Sequence, residues 1–335
     1  MGFQFSNPEF NDVLNKWSRE YAVYAPKIFA GEGTFSDTDV VRYGEISGAD
    51  EIEFNTKSLF SFKEALLPIT QTLFFFSEDG AKEARMNQRK LIVFLRSCDF
   101  NAVKRLDEIY LRNGYEDIYY KKFRENAVFI VMECSRSFEN CFCVSMGTNN
   151  CTGYDAWLQK TESGINLEIS NPDLLKNLNT GGMKEAAITP QCISKNDTEV
   201  TVPENLDLRI VGSDVWDEYT IRCIDCGRCN FVCPTCTCFT MQDIYYSDNP
   251  KCGERRRVWA SCEVDGYTDI AGGISYRQKN GQRMRFKVMH KVYDFKKRFG
   301  YHMCVGCGRC DDVCPEYISF SNCVNKLNKA VEEVK

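Results

Sequence analysis

The sequence predicts an α+β protein made of two parts: an N-terminal α/β domain with a parallel strand–helix–strand unit, and a C-terminal, mostly helical domain built around cysteines. Three observations support this prediction. The chain has 335 residues, which is enough for two domains of ordinary size. A strand–helix–strand pattern runs from 90 to 134, and one twelve-residue cysteine pattern occurs twice, at 223–234 and at 304–315.

The predicted N-terminal domain covers residues 1–205 and begins with an amphipathic helix over 7–24. Asn7 is the expected N-cap, and Pro8 is the expected first helical residue. The apolar residues that recur at helical spacing are Phe10, Val13, Leu14, Trp17 and Tyr21. We expect this helix to end before Pro26.

Two short apolar runs in this domain have the character of buried strands. They cover residues 90–98 and 127–134, and the segment between them has helical spacing. Strands joined in this order are parallel, so both end at the same edge of the sheet, where open α/β sheets bind their ligands. Cys98 and Cys134 close the two runs. We therefore expect these two cysteines to lie near each other.

A polar, irregular stretch between about 160 and 210 places the domain boundary near 205. The second domain, 206–335, holds both cysteine patterns and an insert, 239–303, between them. Within the insert we predict a strand over 255–264 and a helix from Arg283 to Arg298. The residues that mark a final helix are Val324, Leu327, Val331 and Val334.

The composition narrows the class of protein. A net charge of −5, with no basic face and no helix-turn-helix signature, argues against a nucleic-acid partner and against a redox sensor of transcription. Residues 1–20 lack a signal peptide, and the longest apolar window, Leu66 to Phe76, is shorter than the roughly 20 residues of a membrane span. We predict a cytoplasmic protein without a membrane span. The 19 cysteines of such a chain stay reduced, and those that occur in clusters are expected to be metal ligands.

Each repeated pattern reads C-x2-C-x2-C-x3-C-P, the spacing of bacterial two-cluster ferredoxins. In that arrangement the fourth cysteine of one motif binds the cluster of the other motif. The sequence thus predicts a dicluster 4Fe-4S domain. Cluster 1 would be bound by Cys223, Cys226, Cys229 and Cys314, and cluster 2 by Cys304, Cys307, Cys310 and Cys233. Structural zinc or disulfides would not explain the third evenly spaced cysteine and the Cys-Pro of both copies.

A glycine and an arginine occupy the middle of each copy. Gly227 and Gly308 are expected to let the loop backbone approach inorganic sulfide. Arg228 and Arg309 either tune the cluster potential by charge or hydrogen bonds to sulfur, or are ordinary solvated arginines. The sequence leaves this choice open.

The N-terminal domain has enough cysteines for a third 4Fe-4S cluster. Its predicted ligands are Cys98, Cys134, Cys141 and Cys143, with Cys151 as a substitute. The alternative is that these cysteines fill the core, because cysteine is one of the most often buried residues.

The other cysteines carry weaker predictions. For Cys236, Cys238 and Cys262 three roles remain open: shielding a cluster, replacing a ligand or helping to bind another centre, and packing in the core. Cys192, Cys252 and Cys323 have no partner pattern and are interpreted as packing residues.

No motif of a separate catalytic centre is present. No G-x-G-x-x-G follows a strand, and there is no P-loop, G-x-S-x-G or H-E-x-x-H. The two histidines, His290 and His302, do not form a metal triad. The clusters themselves are therefore predicted to be the working parts, and no residue is predicted to be catalytic.

Five segments together closely resemble the A subunit of anaerobic sulfite reductase. They are LRSCDFNAVKRLD at 95–107, ECSRSFENCFCVSMGTN at 133–149, CIDCGRCNFVCPTCTC at 223–238, GERRRVWASC at 253–262 and MCVGCGRCDDVCP at 303–315. This family is related to the iron–sulfur β subunit of soluble group 3 hydrogenases, which share the N-terminal CFC and the C-terminal dicluster plan. That subunit is the alternative assignment.

The resemblance implies a non-catalytic electron-transfer subunit of an NADH-dependent sulfite reductase. Electrons would pass from a flavin-containing, NADH-oxidising subunit to a sirohaem subunit that reduces sulfite to sulfide, and this chain would carry no flavin, NAD or sirohaem itself. The eight dicluster cysteines match the family pattern, and Cys98, Cys134, Cys141 and Cys143 match its N-terminal cysteine positions. Under the alternative, the chain would serve an NAD(P)-linked nickel–iron hydrogenase.

Overall fold

The computed structural model describes residues 1–35, 37–86, 89–176, 178, 180–246 and 249–333, so Val334 of the predicted final helix lies outside it. Its strands are β1 Gly2–Phe5, β2 Tyr21–Phe29, β3 Val40–Glu45, β4 Thr70–Ser77, β5 Gly80–Glu83, β6 Lys90–Arg96, β7 Ala127–Met132, β8 Ala156–Thr161, β9 Gly164–Ile169, β10 Lys184–Glu185, β11 Phe239–Tyr245, β12 Gly253–Trp259, β13 Asp269–Ile270 and β14 Ile274–Ser275. Its α-helices are α1 Asn7–Trp17, α2 Lys63–Leu66, α3 Ser97–Leu111, α4 Ile118–Glu125, α5 Asp217–Arg222, α6 Arg228–Phe231, α7 Asn280–Met289, α8 Phe295–Phe299, α9 Arg309–Asp312 and α10 Phe320–Glu333.

A mixed sheet forms the N-terminal part, with the strand order β10-β1-β9-β8-β7-β6-β2-β3. The four central strands β8, β7, β6 and β2 are parallel, and the outer strands are antiparallel to their neighbours. β6 and β7 are almost fully buried, as expected of parallel strands that are covered on both faces. The sheet therefore has two of its buried central strands beside the first predicted cysteines.

The predicted parallel strand–helix–strand unit is confirmed. β6 pairs with β7 in parallel from Leu91 opposite Ala127 to Arg96 opposite Met132, and α3 and α4 form the crossover. Because β6 ends at Arg96, Cys98 lies in the first turn of α3, whereas Cys134 lies just beyond β7. Both cysteines are thus at the carboxyl edge of the sheet.

The predicted helix over 7–24 is wrong at both ends. Ser6 is the N-cap, because its backbone N–H and its hydroxyl both donate to Glu9 at 2.7 Å in a capping box. The helix ends at Trp17, and Tyr21 starts β2, a buried strand whose apolar run mimics the end of a helical pattern. Pro26 is tolerated in β2 because the pairing with β6 stops at Tyr24.

The strand predicted over 255–264 is present as β12, Gly253–Trp259, so it begins two residues earlier and ends five residues earlier than expected. Strand β9 falls in the stretch where the sequence looked irregular. β9, at the start of the polar stretch, completes a hairpin with β8 and joins the large sheet. In the insert, β11 and β12 extend a second sheet whose order is β11-β12-β4-β5. β12 pairs directly with β4, so strands from both sides of the predicted boundary share one sheet. The division into 1–205 and 206–335 stays a prediction.

The predicted helix of the insert is present as one continuous rod. It consists of α7, a π-helical turn His290–Asp294, and α8, so it runs from 280 to 299. Helix α10 packs the C-terminal core with Phe320, Val324 and Leu327. The rod and α10 lie against the two cysteine motifs through this core.

Candidate iron–sulfur sites

The predicted ligands of cluster 1 line one cavity. Its wall contains all four cysteines of the set, together with Glu263, Met284, Lys287, Cys310 and Phe320. Cys226 is exposed and the other three cysteines are half-buried. The cavity therefore lies close to the molecular surface.

The predicted ligands of cluster 2 line a second, deeper cavity. Cys233, Cys304, Cys307 and Cys310 form its wall with Phe142, Lys291 and the backbone of 305–308. Cys304 and Cys307 are buried. Cys229, Cys310, Lys287 and Phe320 line both cavities, so the two four-cysteine sets share a wall. This exchange of the fourth cysteine between motifs is the arrangement that the repeated spacing predicts.

The two motifs adopt the same local backbone. In each, a glycine with positive φ starts a one-turn helix: Gly227 at +69° before α6 and Gly308 at +70° before α9. Two residues earlier, Asp225 and Gly306 also have positive φ, at 58° and 64°. A side chain at Gly306 would collide with the backbone of Phe142, so only the second motif needs glycine there. The sequence predicts that Gly227 and Gly308 let the loop backbone approach inorganic sulfide. In the structure, the atoms nearest to where their side chains would lie belong to protein backbone and protein side chains.

Two buried lysines stand between the motifs, one helical turn apart on the same face of the rod. Lys287 and Lys291 are each 3% exposed. Burial acts to lower the pKa of Lys287, but the charges of Cys229, Glu263 and Cys310 hold it well above its usual value. Lys291 donates to the Thr235 hydroxyl at 2.9 Å, and its carbonyl accepts from the N–H of Met303 at 2.9 Å. Both ammonium groups are therefore positioned to balance negative charge at the thiols.

The residues present fit two 4Fe-4S clusters. Each cavity has the four thiols of its predicted set on its wall, together with one cysteine of the other set. A cluster with four thiolate ligands is an anion that the buried ammonium groups would balance. In the part of the chain that the structure describes, no three or more His, Cys, Asp or Glu side chains converge to hold a single metal ion. A cubane needs ligands around a cavity instead, because each thiolate binds a different iron.

The arginines of the two motifs have opposite environments. Arg228 is exposed, whereas Arg309 is 3% exposed and forms a bidentate ion pair with the fully buried Asp99, both distances being 2.8 Å. Arg309 also donates to the carbonyl and the hydroxyl of Ser58. The second motif is thereby fixed to the first turn of α3, next to Cys98.

The four predicted N-terminal cysteines lie in one region beside the second motif. Burial, then the charges of Asp99, Cys143 and Cys307, raise the pKa of Cys98 well above its usual value. Burial also raises the pKa of Cys143 to about 12, with Cys141 and Cys134 contributing. The Cys141 thiol donates to the Cys307 carbonyl at 3.4 Å. Cys143 is thus within electrostatic reach of the other three thiols, and Cys98 and Cys141 are close to Cys307 of the second set.

The loop that carries Cys141 and Cys143 is held against the second motif by its backbone. Phe142 N–H donates to the Gly306 carbonyl at 2.8 Å, and the Thr148 hydroxyl donates to the Val305 carbonyl at 2.6 Å. A Cβ at Gly308 would lie 2.3 Å from the Asn140 carbonyl oxygen. The glycines of the second motif therefore permit this loop to approach.

The packing interpretation missed the position of Cys192. Cys192 forms an isolated parallel bridge with Cys134, and the charge of Cys134 contributes to its raised pKa after burial. Cys151 lies close to Cys192: burial raises the pKa of Cys151 to about 11, and the charge of Cys192 contributes to this increase. Both are therefore candidate ligands of the N-terminal region. No spacing pattern marks Cys192, because folding alone brings it beside the edge of β7.

Three more cysteines gather behind the first motif. Cys236 and Cys262 are buried, Cys238 is half-buried, and Asn230 of α6 contacts the first two. Cys323 is fully buried in the C-terminal core, in agreement with a packing role. Cys252 lies in the β11–β12 connection, where Asn249 contacts its sulfur at 3.6 Å.

This arrangement defines an iron–sulfur protein of the dicluster class. Residues 222–318 match the family model described as a 4Fe-4S dicluster domain. The chain is also similar to sulfhydrogenase 2 subunit beta of Pyrococcus furiosus, with 27% identity over 344 aligned positions that cover 97% of this chain and 96% of the relative. No solved structure matches the chain. Among the described helices, none combines the length and the apolar character that a membrane span requires.

Proposed function

We propose that this chain is the iron–sulfur electron-transfer subunit of a cytoplasmic multi-subunit oxidoreductase. Its cluster 1 would be bound by Cys223, Cys226, Cys229 and Cys314, and its cluster 2 by Cys304, Cys307, Cys310 and Cys233. The observation that carries the proposal is the pair of four-cysteine cavities with a shared wall. Clusters bound side by side in this way exchange electrons directly and need no further catalytic residue.

A third 4Fe-4S cluster at the N-terminal cysteines would extend the relay. Its proposed ligands are Cys98, Cys134, Cys141 and Cys143, and the contact of Cys141 with the Cys307 carbonyl supports its place next to cluster 2. Because Cys226 is exposed whereas Cys304 and Cys307 are buried, cluster 1 would lie nearer the molecular surface than cluster 2 and would form one end of the relay. Electrons would then pass from cluster 1 through cluster 2 to the N-terminal region, or in reverse.

The parent complex that we favour is a soluble NAD(P)-linked nickel–iron hydrogenase. The similarity to sulfhydrogenase 2 subunit beta supports this choice, since it extends over both chains. The partners would be a flavin subunit that handles the nicotinamide nucleotide and a subunit that holds the nickel–iron centre. The second candidate is an anaerobic sulfite reductase with a sirohaem partner, which the segments 133–149 and 223–238 favour by their resemblance.

The cluster assignment is tested on protein purified anaerobically, by counting iron and acid-labile sulfide and by recording electron paramagnetic resonance of the reduced form. We expect about twelve irons per chain, and a loss of about four in Cys141→Ser. Cys252→Ser is the control, because that thiol lies outside every proposed set, and it should keep the full count. About eight irons in both wild type and Cys141→Ser would limit the relay to the dicluster.

The parent complex is tested by purifying the tagged chain from its native host and assaying the associated subunits. Hydrogen-dependent reduction of NAD(P), with nickel in the preparation, is the expected result. NADH-dependent reduction of sulfite, with sirohaem absorbance, would reject the hydrogenase and establish the second candidate. The isolated chain should catalyse neither reaction, because the clusters alone supply no substrate site.

A further inference from the structure

Cys238 and Cys262 are placed side by side by the second sheet. β11 and β12 pair as far as Phe239 opposite Trp259, and the next ladder bond runs from the Ala260 N–H to the Cys238 carbonyl at 3.0 Å. Cys262 follows two residues later, where the chain turns back toward α6. At this open end of the ladder, the interaction of the two thiols with each other is the largest cause of the pKa shift of both.

The Cys238 sulfur is surrounded by hydrogen-bond donors. The Cys262 thiol, the Cys262 backbone N–H and the Tyr267 hydroxyl, which donates to the Phe239 carbonyl at 3.5 Å, all act on it. These contacts lower the pKa of Cys238 to about 6, and the hydrogen bond from Cys262 is the largest cause. A cysteine whose pKa is lowered by a neighbouring thiol is the arrangement that reacts in thiol–disulfide chemistry.

Short contacts connect this pair to the second cysteine set. The Asn230 amide donates to the Cys262 sulfur at 3.1 Å, and its oxygen accepts from the Cys236 thiol at 3.5 Å. The interaction of Cys236 with Cys233, the cysteine that the first motif contributes to the second cavity, is the largest cause of the pKa shifts of both. The route from the pair to the proposed cluster 2 therefore crosses a single buried asparagine and one thiol.

We propose that Cys238 and Cys262 form a redox-active dithiol that stores two electrons beside the clusters. The proposal rests on the proposed function, because the 4Fe-4S clusters are its electron donors and acceptors. Oxidation forms the Cys238–Cys262 S–S bond, releases the Cys262 proton beside the half-buried Cys238, and sends two electrons, one at a time, to two oxidised clusters. Reduction takes one electron from each of two reduced clusters and returns the proton, leaving a thiolate and a thiol.

Such a pair would give the relay a function that clusters lack. Each 4Fe-4S cluster exchanges one electron, whereas a dithiol exchanges two and binds a proton on reduction. Neither cysteine belongs to the eight dicluster positions or to the N-terminal set, so the pair and the relay can be altered separately. The site is a dithiol–disulfide couple that lies next to the iron–sulfur clusters and is not one of their ligands.

The first test is a disulfide map of the cluster-loaded protein after anaerobic equilibration with oxidised and with reduced redox dyes. Thiols are alkylated, the chain is digested, and peptides are analysed by mass spectrometry. A Cys238–Cys262 disulfide is expected only in the oxidised samples. It should be absent from Cys262→Ser and retained in Cys252→Ser. Loaded wild type that shows both thiols alkylated at every potential would overturn the proposal.

The second test counts electrons and iron together. Oxidised wild type should take up two more electron equivalents than Cys262→Ser before reduction is complete, with equal iron in both proteins. If Cys238→Ser and Cys262→Ser each lose about four irons, these thiols are cluster ligands and the dithiol is rejected. If wild type itself contains no clusters, the proposed function fails instead, so the two failures are distinguishable.

Discussion

At the residue scale, Arg309 and Asp99 show how one buried ion pair can join two distant parts of a chain. Both side chains are almost completely buried and are matched in a bidentate geometry, with Ser58 satisfying two of the remaining guanidinium donors. Asp99 immediately follows Cys98, and Arg309 lies between two proposed ligands of cluster 2. The pair therefore fixes the distance between the N-terminal cysteines and the second motif.

Replacing Arg309 should lower the free energy of unfolding strongly, whereas replacing Arg228, its counterpart in the first motif, should hardly change it. Arg309→Met leaves Asp99 buried without a counter-charge, and we expect a loss of about 3–5 kcal/mol in the free energy of unfolding. Arg228→Met, at the same position of the exposed copy, should change it by less than about 0.5 kcal/mol. Anaerobic denaturant unfolding followed by circular dichroism checks both values. Equal effects of the two variants would contradict this account of the pair.

Alanine substitutions at two glycines distinguish the destabilisation caused by a left-handed backbone from that caused by a steric clash. Gly147 and Gly308 have φ values of +64° and +70°, but only Gly308 has neighbours where a Cβ would lie. Gly147→Ala should cost about 1–2 kcal/mol, the strain of a left-handed residue. Gly308→Ala should cost more and also loosen the 140–143 loop, because the Asn140 carbonyl has to move. Unfolding midpoints measure the first effect, and alkylation rates of Cys141 and Cys143 after cluster removal measure the second.

At the element scale, the helical rod 280–299 is the brace between the two cysteine motifs. Its π-helical turn contains Lys291, whose carbonyl accepts from Met303 and Cys304 while its ammonium group contacts Thr235. A π-turn inside an α-helix changes which carbonyls are available, and such turns often occur at functional sites. One turn of this rod thus holds the end of the first motif and the start of the second.

Replacing Lys287 should change the redox behaviour of the clusters without removing a ligand. In Lys287→Met a buried positive charge beside both cavities is lost, which disfavours the more negative, reduced form of the clusters. We expect the reduction potential to fall on the order of 100 mV. Lys297→Met, an exposed lysine on α8 of the same rod, is the matched control and should leave the potential nearly unchanged. Redox titrations with equal iron contents would decide; an unchanged potential in Lys287→Met contradicts the role of this charge.

The sequence predicted those elements whose signal is local. The cysteine spacing predicted both four-cysteine sets, and the apolar runs predicted the parallel pair β6 and β7. The end of α1 was wrong because the buried strand β2 continues an apolar pattern past Trp17. The bridge of Cys192 to Cys134, the burial of Lys287 and the β4–β12 pairing depend on contacts between distant segments. No local pattern carries these, so only the folded chain reveals them.

At the scale of the whole molecule, the cysteines are distributed unevenly between the hydrophobic cores. The core on one face of the large sheet extends from Phe3 to Leu178 and includes no cysteine among the described residues, whereas the core on its other face includes Cys307 and packs against Cys98, Cys151 and Cys192. The C-terminal core includes Cys304 and Cys323 and packs against Cys223, Cys310 and Cys314. The first core is thus complete without metal, whereas the C-terminal core surrounds the proposed clusters and the two buried lysines.

Loss of the clusters should therefore destabilise the C-terminal core selectively. Without them, the buried ammonium groups of Lys287 and Lys291 would lose the negative charge of the clusters, and the cavity walls would lose their central contacts. We expect hydrogen exchange in the cluster-free, reduced chain to increase strongly in α7, α9 and α10, while β1 and β9 keep the protection that they have in the loaded protein. Restoring the clusters by reconstitution should restore the protection of these helices. A uniform loss of protection across both cores would instead mean that the β4–β12 sheet couples them into one cooperative unit.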